Sequence, residues 1–471
     1  MLNDSMCKTP WNEECTTWRS PFPSTFWVAV LLLLGNLLSC SAIRAQNVRY
    51  PDYPQTRGQA DQIEAPLFPR SVLVDGEIRA RLETQTAIRD QYNNSGTYLL
   101  TRIRTGLKVM PDRHLTFYGQ VQDTHALGLP LQRASSNMRD TFDLRQGYVD
   151  LQGRGIQLIA GRQELKFGSE RIIGVSDFTN NARSFDGFDL RLGNQKNKID
   201  LFSTSVVSVH PTALDTHGPG LTFHGAYGSF TSLVPHANIQ PFLLFHTLRS
   251  QAKNDGTAKK QLEITPGVEV TGTLPRNFDY TGMIAFQRGS RGSQSIRSGA
   301  GFMKLAYTEP RLLWSPRIGT EFDYATGNSP SHPLDKRTFD QEYPSNHDVF
   351  GLVDLFGFQN IQQVRINLDL APSNYLTVLI QGSNLSLASR FDSIYDSSGS
   401  ALRSSPALGF RSRGLGKEID FSAKYLFRES VVLNVGYGHL FSKSSIKSDK
   451  GINSDSLGYM SLTYRFNLGH F

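Results

Sequence analysis

Three cations alternate along one short stretch of the chain. In "LLTRIRTGLKVMP" (99–111), Arg102, Arg104 and Lys108 share one parity with Leu100 and Gly106, while Leu99, Thr101, Ile103, Thr105, Leu107 and Val109 share the other. A guanidinium stays charged and grips a carboxylate with two donors, and rings of Arg or Lys select anions in pores. The chemistry on offer is recognition of anions. The same parity elsewhere carries Arg79 and Arg81 in "IRARLETQT", Arg191 in "GFDLRLG" and Arg365 in "VRINLDL", joined by Arg145, Arg162 and Arg317. Acids share it too: Glu83, Asp150, Glu164, Asp189, Glu321, Asp323 and Asp369. Cation–anion pairing across a wall is therefore the structural alternative to contact with solute.

Covalent catalysis is poorly served. The eleven histidines are scattered, and none lies in a G-x-S-x-G or H-E-x-x-H context. His332 and His347 share one long segment with Asp335, Asp340 and Asp348; metal binding is conceivable there, and a solvated loop is the plainer reading. No Gly-rich phosphate cradle follows a strand and opens a helix. The expectation is a protein without enzymatic activity, metal or cofactor.

The elements that position these side chains are strands, because successive residues of a strand point to opposite faces. Ile78, Ala80, Leu82 and Thr84 oppose Arg79, Arg81, Glu83 and Gln85, and Val364, Ile366, Leu368 and Leu370 oppose Arg365, Asn367 and Asp369. The last such run, "GYMSLTYRFNL", opposes Met460, Leu462, Tyr464, Phe466 and Leu468 to Ser461, Thr463, Arg465 and Asn467. About 18 segments of this kind occur, most near the ~10 residues that cross a bilayer as a tilted strand. Short connectors with turn chemistry ("MPDRH", "GRG", "TLPRN", "EPR", "APSN", "RES") alternate with long polar ones at 124–140, 166–185, 208–220, 249–260, 326–360, 385–415 and 443–455. Short turns on one side and long loops on the other are the connectivity of an outer-membrane β-barrel. A propeller would repeat every 40–50 residues or so, and no such repeat is present.

Composition agrees. The 471 residues are 39% hydrophobic, and mean hydropathy is −0.33. One apolar run, "FWVAVLLLLGNLLSCSA" (26–42), precedes "IRAQ" and reads as a secretory signal with Ala45 at the cleavage position. A membrane anchor and a lipoprotein signal at Cys40 are the rival readings. All three cysteines lie before Ala45, so the mature chain has none. The net charge of +7 suits an anionic solute or lipid, and export together with the lack of basic–aromatic modules argues against nucleic acid. The organisation read is a signal over 1–45, a Pro- and Gln-rich periplasmic lead-in over 46–75, and a barrel over 76–471. Phe471 falls on the inward parity, and the outward register ends at Leu468.

Several longer stretches resemble one known family. "LRQGYVDLQGRGIQLIAGRQELKFGSERIIGVSDFTNNARSFDGFDLRL" (144–192), "FDYATG" followed by "RTFDQEYPSNHDVFGLVDLFGFQNIQQVRINLDLAPSNYLTV" (322–378), and "SRFDSIYDSSGSALR" (389–403) followed by "LGKEIDFSAKY" are similar to the alginate-export family of outer-membrane barrels. The resemblance implies an 18-stranded monomeric barrel in the outer membrane of a Gram-negative bacterium. It also implies an electropositive constriction at Arg102, Arg104, Arg145 and Arg162, and loops that gate. Asp177, Asn181, Arg183 and Asp186 lie in or beside the long loop after Arg162, which is expected to fold inward.

The reading is a passive channel in outer-membrane lipid. Its lumen is lined by Arg79, Arg81, Arg102, Arg104, Lys108, Arg145, Arg162, Arg191 and Arg365, and it conducts an anionic polysaccharide or a small anionic solute, with periplasmic export partners. A general diffusion porin is the alternative; a closed structural barrel or a barrel enzyme ranks below it.

Overall fold

The computed structural model describes residues 71–86, 96–131, 133–218, 220–248, 260–442 and 454–468. The expected signal sequence, the lead-in up to residue 70, and Phe471 lie outside them. Among the described residues, eighteen antiparallel strands form a closed wall and no helix occurs. The first seven are β1 (Ser71–Thr86), β2 (Gly96–Asp112), β3 (Leu115–Leu127), β4 (Asp140–Gly153), β5 (Ile156–Gln163), β6 (Phe185–Gly193) and β7 (Asn197–Ser208). The wall continues through Leu221–Phe230, Ala237–Leu248, Gln261–Leu274, Phe278–Arg291, Gln294–Thr308, Arg317–Ala325, Ile361–Ser373, Leu376–Leu387, Gly414–Leu426 and Val431–Ser442. The closing strand is Ser454–Leu468, which ends where the outward register was expected to end.

Neighbours in sequence are neighbours in the wall, and β1 closes it by pairing with both β2 and Ser454–Leu468. Closure leaves no free edge. That is the condition for a strand structure in hydrocarbon, where no water can satisfy an open backbone group. The register places Arg79 opposite Arg102 and Glu77 opposite Arg104 across β1 and β2, with Glu77 opposite Arg465 on the other side.

The two parities separate cleanly at β2. Ile103 is 50% exposed and Leu107 47%, whereas Arg102 and Arg104 of the other parity are 1% and 7% exposed. Outward apolar residues such as Ile78, Phe188, Ile284, Met303, Ile366 and Leu462 continue the exposed belt around the wall.

Connectors alternate as expected, with two departures. Between Phe278–Arg291 and Gln294–Thr308 the long-loop side carries a tight turn, in which Gly292 holds a φ of 60°. On the short-turn side, 309–316 is longer than its Pro signal suggested, and it leaves Leu312 and Leu313 exposed. The barrel also begins at Ser71, five residues inside the segment read as lead-in.

The interior departs further from expectation. Its inward face is not polar throughout. Phe202, Phe223, Tyr227, Phe242, Leu244, Met283 and Phe302 of the wall pack with Ile172 and Ile173 of the loop 164–184 and with Phe339, Phe350, Phe356 and Phe358 of the loop 326–360. Both loops fold into the barrel and bring their own apolar side chains, so this sector of wall buries carbon against carbon. Parity sorts side chains by face; it does not say what the inner face meets.

Substituting Ile103→Arg puts a charge on the lipid face near the middle of β2 and should cost about 2–4 kcal/mol. Urea titration of the protein folded into lipid vesicles measures this as a lower unfolding midpoint.

Candidate constriction inside the barrel

The loop 164–184 leaves β5 and returns as β6. Gly161, with φ of 131°, lies just before Arg162, and a Cβ there would meet the Gly147 carbonyl oxygen at 2.2 Å. The glycine lets β5 lie hard against β4 as the chain turns inward. Residues 176–181 then cross to β1 and β2, where four inward-facing arginines receive them.

Arg79 donates to the carbonyl oxygens of Asp177 and Thr179, both at 2.9 Å, and to Asn180 Oδ1 at 3.0 Å. Arg81 donates to the Phe178 carbonyl, pairs with Glu83 at 2.6 Å, and lies over the Phe178 ring at 3.9 Å. Arg102 pairs with Glu77, its Nε at 2.8 Å, and reaches Asp177 Oδ1 at 3.1 Å. Arg104 meets the same Asp177 oxygen at 2.9 Å and Gln122 Oε1 at 2.7 Å. One carboxylate therefore sits in a fork of two guanidinium groups, and main-chain carbonyls occupy two more. The Asp177 side chain keeps 42% of its surface exposed, so the latch faces open space on one side. Burial alone would raise the Asp177 carboxyl, but Arg102, Arg104 and Arg79 hold it well below the usual carboxylate range.

The neighbouring asparagines fasten the loop. Asn180 donates to the carbonyls of Thr101 and Met138, both at 2.9 Å. Asn181 donates to the Arg139 carbonyl at 3.0 Å and accepts from Thr124 Oγ1.

Arg183 joins this loop to the other one. It donates to the Gly174 carbonyl at 2.7 Å and the Tyr343 carbonyl at 2.6 Å, and burial pulls its guanidinium down to about 10. A parallel bridge pairs Ile173 with Tyr343. Ser345 Oγ donates to Glu170 Oε2 at 2.6 Å and accepts from the Ser176 amide at 2.8 Å. Phe178 stacks on His347, with centroids 3.2 Å apart. The two loops form one packed insert.

The remaining residues singled out in the sequence distribute around it. Arg145 pairs with Glu164 at 2.9 Å and donates to the Arg183 carbonyl at 2.9 Å. Arg162 grips Asp186 with two bonds, 2.7 and 3.1 Å. Asp186 belongs to β6 and not to the loop, because the strand pairing resumes at Phe185 opposite Gln163. Arg191 pairs with Asp200 at 2.5 Å, on a different stretch of wall. Arg365 and Arg171 share the buried Glu321, well along the chain from the four-arginine group. Lys108 stands near Asp75. His332 and His347 do not converge: His332 bonds Ser331 at 3.1 Å, and His347 bonds Asp354 at 2.6 Å.

Sequence reasoning passed over Glu77, Asn180, Arg171 and Tyr343. Glu77 was legible, since it shares the parity of Arg79 and Arg81. Arg171 lies within "GSERIIG", but nothing local says that a loop residue ends on a strand carboxylate 150 positions away. The arrangement is a set of paired charges and hydrogen bonds in which Arg79 Nε and Arg145 Nε and Nη1 keep no hydrogen-bond partner, and among the described residues of this constriction no nucleophile is held against a base.

A family model described as alginate export matches residues 71–460. Among solved structures, OccK11 (OpdR) of Pseudomonas aeruginosa is similar at 12% identity and a TM-score of 0.56, covering 84% of this chain and 96% of that one. OccK3 (OpdO) of the same organism is similar at 11% identity and a TM-score of 0.57, with coverage of 84% and 96%. OccAB4 of Acinetobacter baumannii is similar at 11% identity and a TM-score of 0.56, with coverage of 84% and 98%. At such identities the likeness speaks for the fold alone. No curated protein matches the chain.

Substituting Arg102→Ala breaks the buried pair with Glu77, which keeps only Arg465 at 3.0 Å, and should destabilise the barrel by about 3 kcal/mol, the low end for a broken buried pair, read by urea unfolding. Because the Asp177 carboxyl titrates below its unfolded value of about 3.9, its stabilisation is full above that pH and is lost as pH falls through the folded value. The stability gap between the wild type and Asp177→Asn should therefore be largest at pH 7 and shrink below pH 4.

Proposed function

The chain belongs to the alginate-export family and is an outer-membrane channel, and from that premise we propose that it conducts anionic solutes, with an acidic polysaccharide as its cargo. The observation that carries this reading is the seat of Asp177, a carboxylate held between Arg102 and Arg104 at 3.1 and 2.9 Å. Asp177 is the loop's stand-in for a carboxylate of the solute. When the loop withdraws, it removes Asp177 and the carbonyls of residues 177–179 together. Arg79, Arg81, Arg102 and Arg104 remain on the wall with only Glu77 and Glu83 among them, and a passing carboxylate takes the vacated fork. Guanidinium suits the task, since its charge persists and its two donors match a carboxylate edge. Residues 1–45 serve as the export signal, the channel acts as a monomer, and periplasmic partners deliver the polymer.

A second reading, passive diffusion of small anions, draws support from the apolar packing of both loops inside the wall, which leaves less room for a chain than for a small solute.

The reversal potential of the refolded protein in a planar bilayer under a KCl gradient tests the charge of the path. Anion selectivity is expected. Asp177→Asn should raise the open-channel current at least twofold by releasing the latch, and it should keep the anion preference. Cation selectivity of the wild type overturns the proposal. Block by uronate oligomers, with no block by the monomeric uronate at equal carboxylate concentration, favours the polymer over the small solute.

A further inference from the structure

We propose that Asp140, Asp143 and Asp215 form a divalent-cation site, suited to calcium, that pins the loop 209–220 to the rim of the barrel beside the constriction loop. Asp140 opens β4, Asp143 follows three residues later, and Asp215 comes from the loop after β7. One carboxylate oxygen from each lies within 4.8 Å of those of the other two.

Residues three apart on a regular strand face opposite ways. Here they do not, because the ladder slips: Gln122 pairs with Asp143 while Thr124 pairs with Asp140. Two residues of β3 thus span three of β4. An extra residue of this kind re-aims side chains at the rim of a barrel, and it turns both carboxylates toward one small cavity. Gln122, Asn181, Ser184 and Asp215 line the rest of that cavity.

Asp140 supplies the independent reason to look for a ligand. It is 3% exposed, and its Oδ1 has no hydrogen-bond partner. The charged groups that act on it are all acids: Asp215, Asp143 and Asp123. Asp143 accepts from the Leu144 amide at 2.5 Å and from the Asp215 amide, and Asp215 accepts from the His210 amide at 2.8 Å. These bonds orient the oxygens but bring no positive charge. Of the nearby guanidinium groups, Arg162 acts on Asp143 and Asp215, and Arg145 keeps Nε and Nη1 without a hydrogen-bond partner, but only acids act on Asp140. Arg145 borders the cavity and pairs with Glu164 at 2.9 Å; Arg162 reaches the Asp215 carbonyl at 3.3 Å while holding Asp186.

Buried carboxylates without a counter-charge are stabilised by metal coordination. Oxygen ligands select a hard cation, and calcium accepts the irregular geometry that two strand residues and a loop residue provide, whereas magnesium demands a near-ideal octahedron. The site lies on the long-loop side of the barrel.

The test uses the full mature chain, refolded in detergent, stripped with EDTA and titrated with CaCl2 in a calorimeter. Saturable binding is expected, with a rise in thermal midpoint and slower proteolysis within 209–220. Asp140→Asn and Asp215→Asn should each weaken calcium binding at least tenfold. Without calcium, Asp140→Asn should melt above the wild type, because it removes a repelling charge. Heat-modifiable electrophoretic mobility confirms that each variant has folded. Absence of saturable binding to the folded wild type overturns the proposal, as does equal binding by both variants.

Discussion

A guanidinium walled away from water has to be met by protein oxygen, and the interior of this barrel is organised around that requirement. Arg79, Arg81, Arg102 and Arg104 lie on two adjacent strands and are between 1% and 7% exposed. Wall carboxylates Glu77 and Glu83 satisfy only part of their donors. Gln122 of the wall takes one more, and most of the rest comes from a loop that enters the barrel, presents its carbonyls and places one aspartate between two of the arginines. The entry of that loop in turn brings apolar residues inside, which explains why a wall read as polar on its inner face carries Phe202, Phe223 and Phe242 opposite Ile172, Ile173 and Phe339. Charge pairing and apolar burial, often treated as alternatives, here depend on one another.

The wall itself was legible in the sequence. Period-two alternation around Arg102 and Arg104 sorts each residue to lipid or interior, and the cost of a charge on the lipid face leaves little freedom of register. Turn residues located most of the tight connections. What escaped was everything set by contacts distant along the chain. The seat of Arg171 on Glu321, the stacking of Phe178 on His347 and the bridge from Ile173 to Tyr343 join segments more than a hundred residues apart, and none has a local period. The slip that brings Asp140 and Asp143 to one side is also invisible, since a strict alternation places them on opposite faces. The tight turn at Gly292 breaks the rule of long loops on its side for reasons equally local to the folded wall.

Family and fold answer different questions here. The alginate-export match spans nearly all of the described barrel, while the solved structures of similar shape share about a tenth of their residues with it. An eighteen-stranded wall is a container, and chemistry enters through what the loops place inside it. In this chain the loops place a carboxylate among arginines and fasten themselves to each other through Arg183, Ser345 and Glu170.

The arginines that hold the insert also stand beside the seam of the wall. Two of the four belong to β1, the strand that also makes the seam with Ser454–Leu468. The ladder that closes the wall is therefore flanked by residues that grip the insert. Seam and insert thus share one strand, and a change that loosens either reaches the other through β1.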